Sequence, residues 1–212
     1  MEVELAKAGF PDDRTPRRVV LSAALLALTT IAWVLWNEDL RYSLPTPRPT
    51  GLQQPPRGDV LPLPAALLAL GPAASGRPLF LHFYNPECPC SRFNLEHAQT
   101  LRRRFADRVQ FVDVIEAPAG SAGDLAQGTD WIADPDGQIA RACGVYATPQ
   151  ALLLDATSRL VFRGNFNSSR FCTATATQFA RRAIEQLLAG TTGPVDPRAE
   201  LAYGCPLPGD AR

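Results

Sequence analysis

Residues 19–36 read VVLSAALLALTTIAWVLW, a run of eighteen residues without a charge. As a helix rising 1.5 Å per residue it is about 27 Å long, close to the ~30 Å hydrocarbon core of a bilayer. Arg14, Arg17 and Arg18 precede it, and Glu38, Asp39 and Arg41 follow. Positive charge on the N-terminal side keeps that side in the cytoplasm and sends everything after Asn37 across the membrane. Trp33 and Trp36 stand where an interfacial aromatic belt is expected. A cleaved signal peptide is the rival reading, but the run is long for one and no A-x-A-like site follows Trp36. A buried helix of a water-soluble domain is disfavoured by apolar residues on every face.

The anchor divides the remaining chain. Twenty prolines are present, many of them within 45–64 and 194–208. The sequence therefore predicts a cytoplasmic N-terminus at 1–18, a transmembrane anchor at 19–36, and a Pro-rich linker at 37–58. A folded domain at 59–190 and a C-terminal tail at 191–212 follow. The linker has no hydrophobic period and reads as an extended, semi-rigid spacer. Formal net charge is zero and the pI is near 6.7, so no basic stripe points to nucleic acid.

Within the domain, short apolar runs alternate with helical patterns. Strands are expected at 79–84, 109–115, 130–133, 150–155 and 159–164. Helices are expected at 91–107, 121–128, 136–143 (ended by Gly144) and 175–189 (ended by Gly190). Leu95, Ala98, Leu101 and Phe105 mark the core face of the first of these. Strands alternating with helices, then a hairpin, then a closing helix, predict an α/β sandwich with a mixed sheet.

The segment Phe83-Tyr84-Asn85-Pro86-Glu87-Cys88-Pro89-Cys90-Ser91 leaves a strand and opens a helix. A thiol there lies near unsatisfied backbone N–H groups and the positive end of the helix dipole, and both favour thiolate. Glu87 opposes this with a neighbouring negative charge. Residues two apart in a first helical turn point about 200° apart, and Pro89 fixes φ between the cysteines. A Cys88–Cys90 disulfide would therefore be strained and oxidising. Either Cys90 resolves a mixed disulfide on Cys88, or Cys88 acts with Ser91 beside its sulfur and an external thiol resolves it. A metal reading in which Cys88 and Cys90 bind Cu(I) with His82 or His97 is weakened because no histidine follows His97.

This strand–turn–helix resembles the thioredoxin-like superfamily, whose motif is Phe-Trp-x-x-x-Cys-x-x-Cys. Cys88 takes the nucleophile's place, Ser91 the resolving cysteine's, and Cys90 stands one position early. His82 falls where thioredoxins often carry a proton-handling carboxylate. VYATPQALLL (145–154) is similar to the family's Thr-Pro before a buried strand, which implies that Pro149 is cis and that Thr148 lines the substrate groove. DPDGQIARACGVYATPQALLLD looks redoxin-like. The long interval from Cys88 to Pro149 resembles membrane-anchored periplasmic thioredoxin-like proteins, in particular a proteobacterial group carrying Cys-Pro-Cys. The motif of peroxiredoxins, relatives of the same superfamily, is missing, since Leu81 and Asn85 occupy its Pro and Thr/Ser positions.

The resemblance covers roughly residues 75–190. It implies a bacterial inner-membrane, single-pass protein with its C-terminal domain in the periplasm. It also implies catalytic Cys88 and Cys90, no cofactor, and protein thiol or disulfide substrates. The alternative is a non-catalytic scaffold or copper-handling module. In an oxidising compartment Cys172 and Cys205 are the expected structural pair, tying the tail to the domain, although five cysteines leave other pairings open. Cys143 reads as a small buried apolar residue, and His97 as a helix-surface residue. His82 reads as either a satisfied core histidine or a proton relay.

Overall fold

The computed structural model describes residues 14–40, 44–70, 75–118, 130–169, 174–191, 193–194 and 196–208. They fall into two units, Met1–Arg41 and Tyr42–Arg212. The first is helix α1 (Arg14–Leu35), continued by a π-helical turn at Trp36–Leu40. Its apolar side chains from Val19 to Leu35 are exposed. The span Pro16–Leu40 is long and apolar enough to cross a membrane, with a mean hydropathy of 2.2 over its most apolar eighteen residues.

In the second unit, strand β1 (Leu79–Tyr84) is buried along its whole length. Successive side chains on a strand face opposite ways, so one apolar run supplies two cores. Leu79, Leu81 and Phe83 face a core shared with Leu63, Leu67 and Leu152. Phe80 faces the other, with Leu101 and Phe105 of helix α3 (Pro89–Phe105) and Ile184 of helix α5 (Phe179–Leu188). Each fully buried Leu or Phe contributes roughly 1.5–3 kcal/mol. β2 (Gln110–Ile115) pairs parallel with β1, and β3 (Asp130–Ala133) parallel with β2. On the other side of β1, β5 (Gln150–Leu154) and β6 (Leu160–Gly164) run antiparallel. The mixed sheet has the order β3-β2-β1-β5-β6. Helices α2 (Ala65–Leu70) and α4 (Gln138–Ala142) supply residues to the first core.

Several boundaries differ from expectation for local reasons. Helix α3 starts at Pro89, because proline at the first helical position loses no hydrogen bond and its φ suits a helix. Leu95 leaves the expected stripe and packs with Tyr84, Ile115 and Trp131. The Asp134 carboxylate accepts from Ile139 N–H at 3.0 Å and Ala140 N–H at 2.9 Å, and so fixes the start of α4. The closing helix is interrupted at Gln178, which separates a 3₁₀ turn (Thr175–Thr177) from α5. The helix expected at 121–128 lies outside the described residues.

The linker and the tail also differ from expectation. Residues 46–58 are irregular, with turns at 50–51 and 57–58, and are docked on the domain: Gly58 N–H donates to Leu160 O at 2.8 Å, and Gln54 Nε2 to Gly144 O at 2.8 Å. The tail is docked too, with Ala199, Ala202 and Leu207 buried. A two-residue strand β7 (Cys205–Pro206) pairs antiparallel with β4 (Ala147–Thr148). Stretches without hydrophobic periodicity are held here largely by backbone hydrogen bonds, which composition does not reveal.

Candidate functional site

Strand β1 ends at Tyr84 and α3 begins at Pro89, so the intervening loop places Cys88 at the N-cap of α3 in extended conformation (φ −80°, ψ 119°). The loop is pinned by its own polar groups. Cys88 N–H donates to Asn85 O at 3.1 Å, Glu87 N–H to Asn85 Oδ1 at 2.7 Å, and Asn85 N–H to the buried Ser91 hydroxyl at 3.3 Å. Ser91, expected beside the Cys88 sulfur, therefore holds the start of the loop. Glu87 is exposed. Cys90 is a buried thiol in the first turn of α3.

Opposite the loop, the Thr148–Pro149 peptide bond is cis, and the Thr148 carbonyl oxygen lies 3.4 Å from Cys88 Sγ. Cys88 forms a disulfide with Cys205, with Cα atoms 6.0 Å apart. This corrects the expected Cys172–Cys205 pair. The β4–β7 register sets Cys205 against Thr148, the residue whose carbonyl touches Cys88, and that brings the two sulfurs within bonding reach. Cys172 lies outside the described residues. Cys143 is a buried thiol, its pKa pushed up to about 12 by burial and then by Asp134.

On the α3 face of the sheet, His82 Nδ1 donates to Asp113 Oδ1 at 3.0 Å, and Arg102 Nη2 donates to Asp113 Oδ2 at 2.9 Å. Burial pushes the Asp113 carboxyl up, but the hydrogen bond and charge of His82 and the Arg102 guanidinium outweigh it, so its pKa lies below the usual range. His82 Nε2 is buried and has no hydrogen-bond partner among the described residues. His97, expected at the surface, is half-buried 5.7 Å from Phe166. Burial lowers its pKa, helped by His82 and Arg181. His97 lines a cavity of about 410 Å³ together with Phe93, Asn94, Pro149, Phe166 and Tyr203. Among the described residues, no group of three or more His, Cys, Asp or Glu converges as a metal site.

Two functional candidates escaped the sequence reading. Glu116 follows β2, its pKa raised to about 7 by burial, with a hydrogen bond from Asn85 opposing and Asp134 assisting. Cys205 was read only as a structural cysteine. The usable signal was Tyr-Gly-Cys-Pro-Leu at 203–207, a glycine beside a cysteine between two apolar anchors.

The DUF6436 family, described as a domain of unknown function, matches residues 61–206. The chain belongs to DUF6436. The match takes in both members of the disulfide, Cys88 and Cys205, so the tail strand is part of the DUF6436 domain. No curated protein matches the chain. A hypothetical protein of Sinorhizobium meliloti 1021 is 20% identical and superposes with a TM-score of 0.54, over 74% of this chain and 95% of that one. An uncharacterised conserved protein of Geobacillus kaustophilus is 18% identical with a TM-score of 0.55, over 77% and 97%. A secreted disulfide oxidoreductase of Mycobacterium tuberculosis, homologous to E. coli DsbE, is 19% identical with a TM-score of 0.39, over 58% and 85%. The DUF6436 match spans the five-stranded mixed sheet and the helices packed on its two faces; the helix apolar enough to span a membrane, Pro16–Leu40, precedes it.

Proposed function

We propose that this protein is a membrane-anchored thiol–disulfide oxidoreductase whose domain faces the periplasm and acts on protein thiols and disulfides through Cys88. The observation that carries the reading is the Cys88–Cys205 disulfide at the N-cap of a seventeen-residue helix, beside the Thr148–Pro149 turn. The N-terminus of α3 favours the Cys88 thiolate through its dipole, and that thiolate is the attacking species. Asn85 reaches both the Cys88 N–H and the Glu116 carboxyl. Glu116, titrating near neutrality, is suited to exchange a proton with a thiol in this loop. Span 19–36 is the anchor, and the arginines before it give the orientation.

A second reading has an observation of its own. Cys88 is only 1% exposed, as befits a structural staple of a non-catalytic scaffold. The two separate in one assay. The full chain in detergent is expected to accelerate dithiothreitol reduction of insulin disulfides, and Cys88→Ser to abolish the acceleration. Wild type and Cys88→Ser at the same background rate would leave the scaffold. Orientation is tested by alkaline phosphatase fused after Arg212, expected to be active; an inactive but intact fusion would reverse the topology.

A further inference from the structure

The C-terminal tail enters the site as a strand. Thr148 pairs with Cys205 and Ala147 with Pro206, so the tail adds to the free edge of β4 immediately before Pro149. Edge addition satisfies backbone groups whatever the sequence, while side chains at fixed positions select the ligand. Here the selecting positions are visible. Gly204 has φ +154°, and a Cβ on it would run into the Thr148 carbonyl. Leu207 is buried in the core on one side, and Tyr203 forms part of the cavity wall on the other.

The linker holds the same segment. Thr46 N–H donates to Ala202 O at 2.7 Å, the Thr46 hydroxyl donates to Gly204 O at 2.9 Å, and it accepts from Gly204 N–H at 3.2 Å. The Tyr146 hydroxyl accepts from Ala202 N–H at 3.2 Å. The tail is thus registered by its pairing with β4 and by the Thr46 and Tyr146 hydroxyls, with its sulfur delivered to Cys88.

Cys90 is placed differently. It lies one turn before Asn94 on the buried stripe of α3, whereas Cys88 is the extended N-cap residue that precedes the helix. Cys205 is half-buried where Cys88 is fully buried.

Resting on the exchange chemistry proposed above, we infer that Cys205 is the resolving cysteine of Cys88, and that the tail and the substrate take turns on the β4 edge. In the reduced protein, Cys88 thiolate attacks one sulfur of a substrate disulfide. The Cys88–substrate bond forms, the substrate S–S bond breaks, and the other substrate sulfur leaves as thiolate. The tail then pairs with β4 and Cys205 thiolate attacks Cys88 Sγ. The Cys88–Cys205 bond forms, and the first substrate sulfur departs as thiolate. The substrate gains two electrons and two protons, and the protein loses them. A second dithiol returns the protein to its reduced form by the reverse exchange. The substrates favoured are extended polypeptides with glycine before the cysteine, because no side chain fits against the Thr148 carbonyl.

The test uses the reduced full chain in detergent and a probe copied from the tail, the peptide Ala202–Pro208 with its cysteine held as a mixed disulfide with 2-nitro-5-thiobenzoate. Release of the coloured thiolate reports attack by Cys88, and intact-mass spectrometry reports whether the peptide stays attached. Cys205→Ser is expected to release the thiolate and keep the peptide on Cys88, whereas wild type and Cys90→Ser release both. Gly204→Ala, which keeps every cysteine, is expected to lengthen the life of the peptide adduct about tenfold, equivalent to ~1.4 kcal/mol of lost docking. Peptide loss from Cys205→Ser at the wild-type rate, with retention on Cys90→Ser, would overturn the inference and make Cys90 the resolver. Failure of wild type to release the coloured thiolate at all would overturn the exchange reading itself.

Discussion

Cys88 and Cys143 are equally hidden from solvent, 1% and 0% exposed, yet they occupy different chemical settings. Cys143 closes the short helix α4 near Asp134; burial and that carboxylate push its pKa up to about 12, outweighing the opposing charge of Arg163. Cys88 opens a long helix, touches the Thr148 carbonyl and is bonded to a sulfur from a distant segment. Burial alone does not separate an inert thiol from a reactive one. The end of the helix it occupies, and which chain segment can reach it, decide the matter.

Four changes sharpen that contrast. Cys205→Ser has the largest expected effect on stability, since it removes a restraint across a sequence separation of 117 residues. On a chain-entropy argument that is ~5 kcal/mol, read as the difference in denaturation free energy between the oxidised wild type and the variant. Equal values would mean that the link does not tether the native tail.

Asp113→Asn comes next. It takes the charged partner from His82 and Arg102, at a cost of about 3 kcal/mol. The folded Asp113 pKa is depressed, so its contribution is present above the unfolded value of about 3.9 and fades as pH falls through the folded value. The gap between variant and wild type should therefore close in acid. A gap that widened there would contradict the pairing.

Cys143→Ala should cost about 1 kcal/mol. At pH 8 the buried Cys143 thiol, its pKa pushed up to about 12, stays protonated, so native wild type should resist labelling there. Rapid alkylation of Cys143 would remove the contrast with Cys88.

Glu116→Gln has the smallest expected effect on stability but a distinct signature. The folded Glu116 pKa of about 7 is raised above its ordinary value of 4.5. Its contribution is therefore full below about 4.5 and lost as pH rises through about 7. The variant should flatten that slope and remove a step near pH 7 from the exchange rate. An unchanged profile would separate Glu116 from the chemistry.

Much of the fold was legible because its information is local. LFLHFY and QALLL announce buried strands by their apolar runs, Gly144 ends a helix at φ +71°, and residues 19–36 carry no charge. The Cys88 loop was legible for the same reason. The site's partner was not. Cys205 reaches Cys88 through a two-residue strand whose register depends on Thr46, Tyr146 and Thr148, residues far apart in the chain. Thr46 itself sits in a Pro-rich stretch with no hydrophobic period, and its role shows only in the backbone groups it satisfies. Glu116 and His97 were missed because their burial comes from neighbours that are distant in sequence.

The central claim is that Cys88 is an exchange nucleophile and Cys205 its redox partner. The most direct measurement equilibrates the full chain in a series of glutathione buffers, traps thiols by alkylation, and locates each label by peptide mass spectrometry. The account predicts that Cys88 and Cys205 titrate together and reversibly as one two-electron couple while Cys143 stays unlabelled until the chain unfolds. A Cys88–Cys205 link that survives the whole series would contradict the account and leave the disulfide as a structural staple.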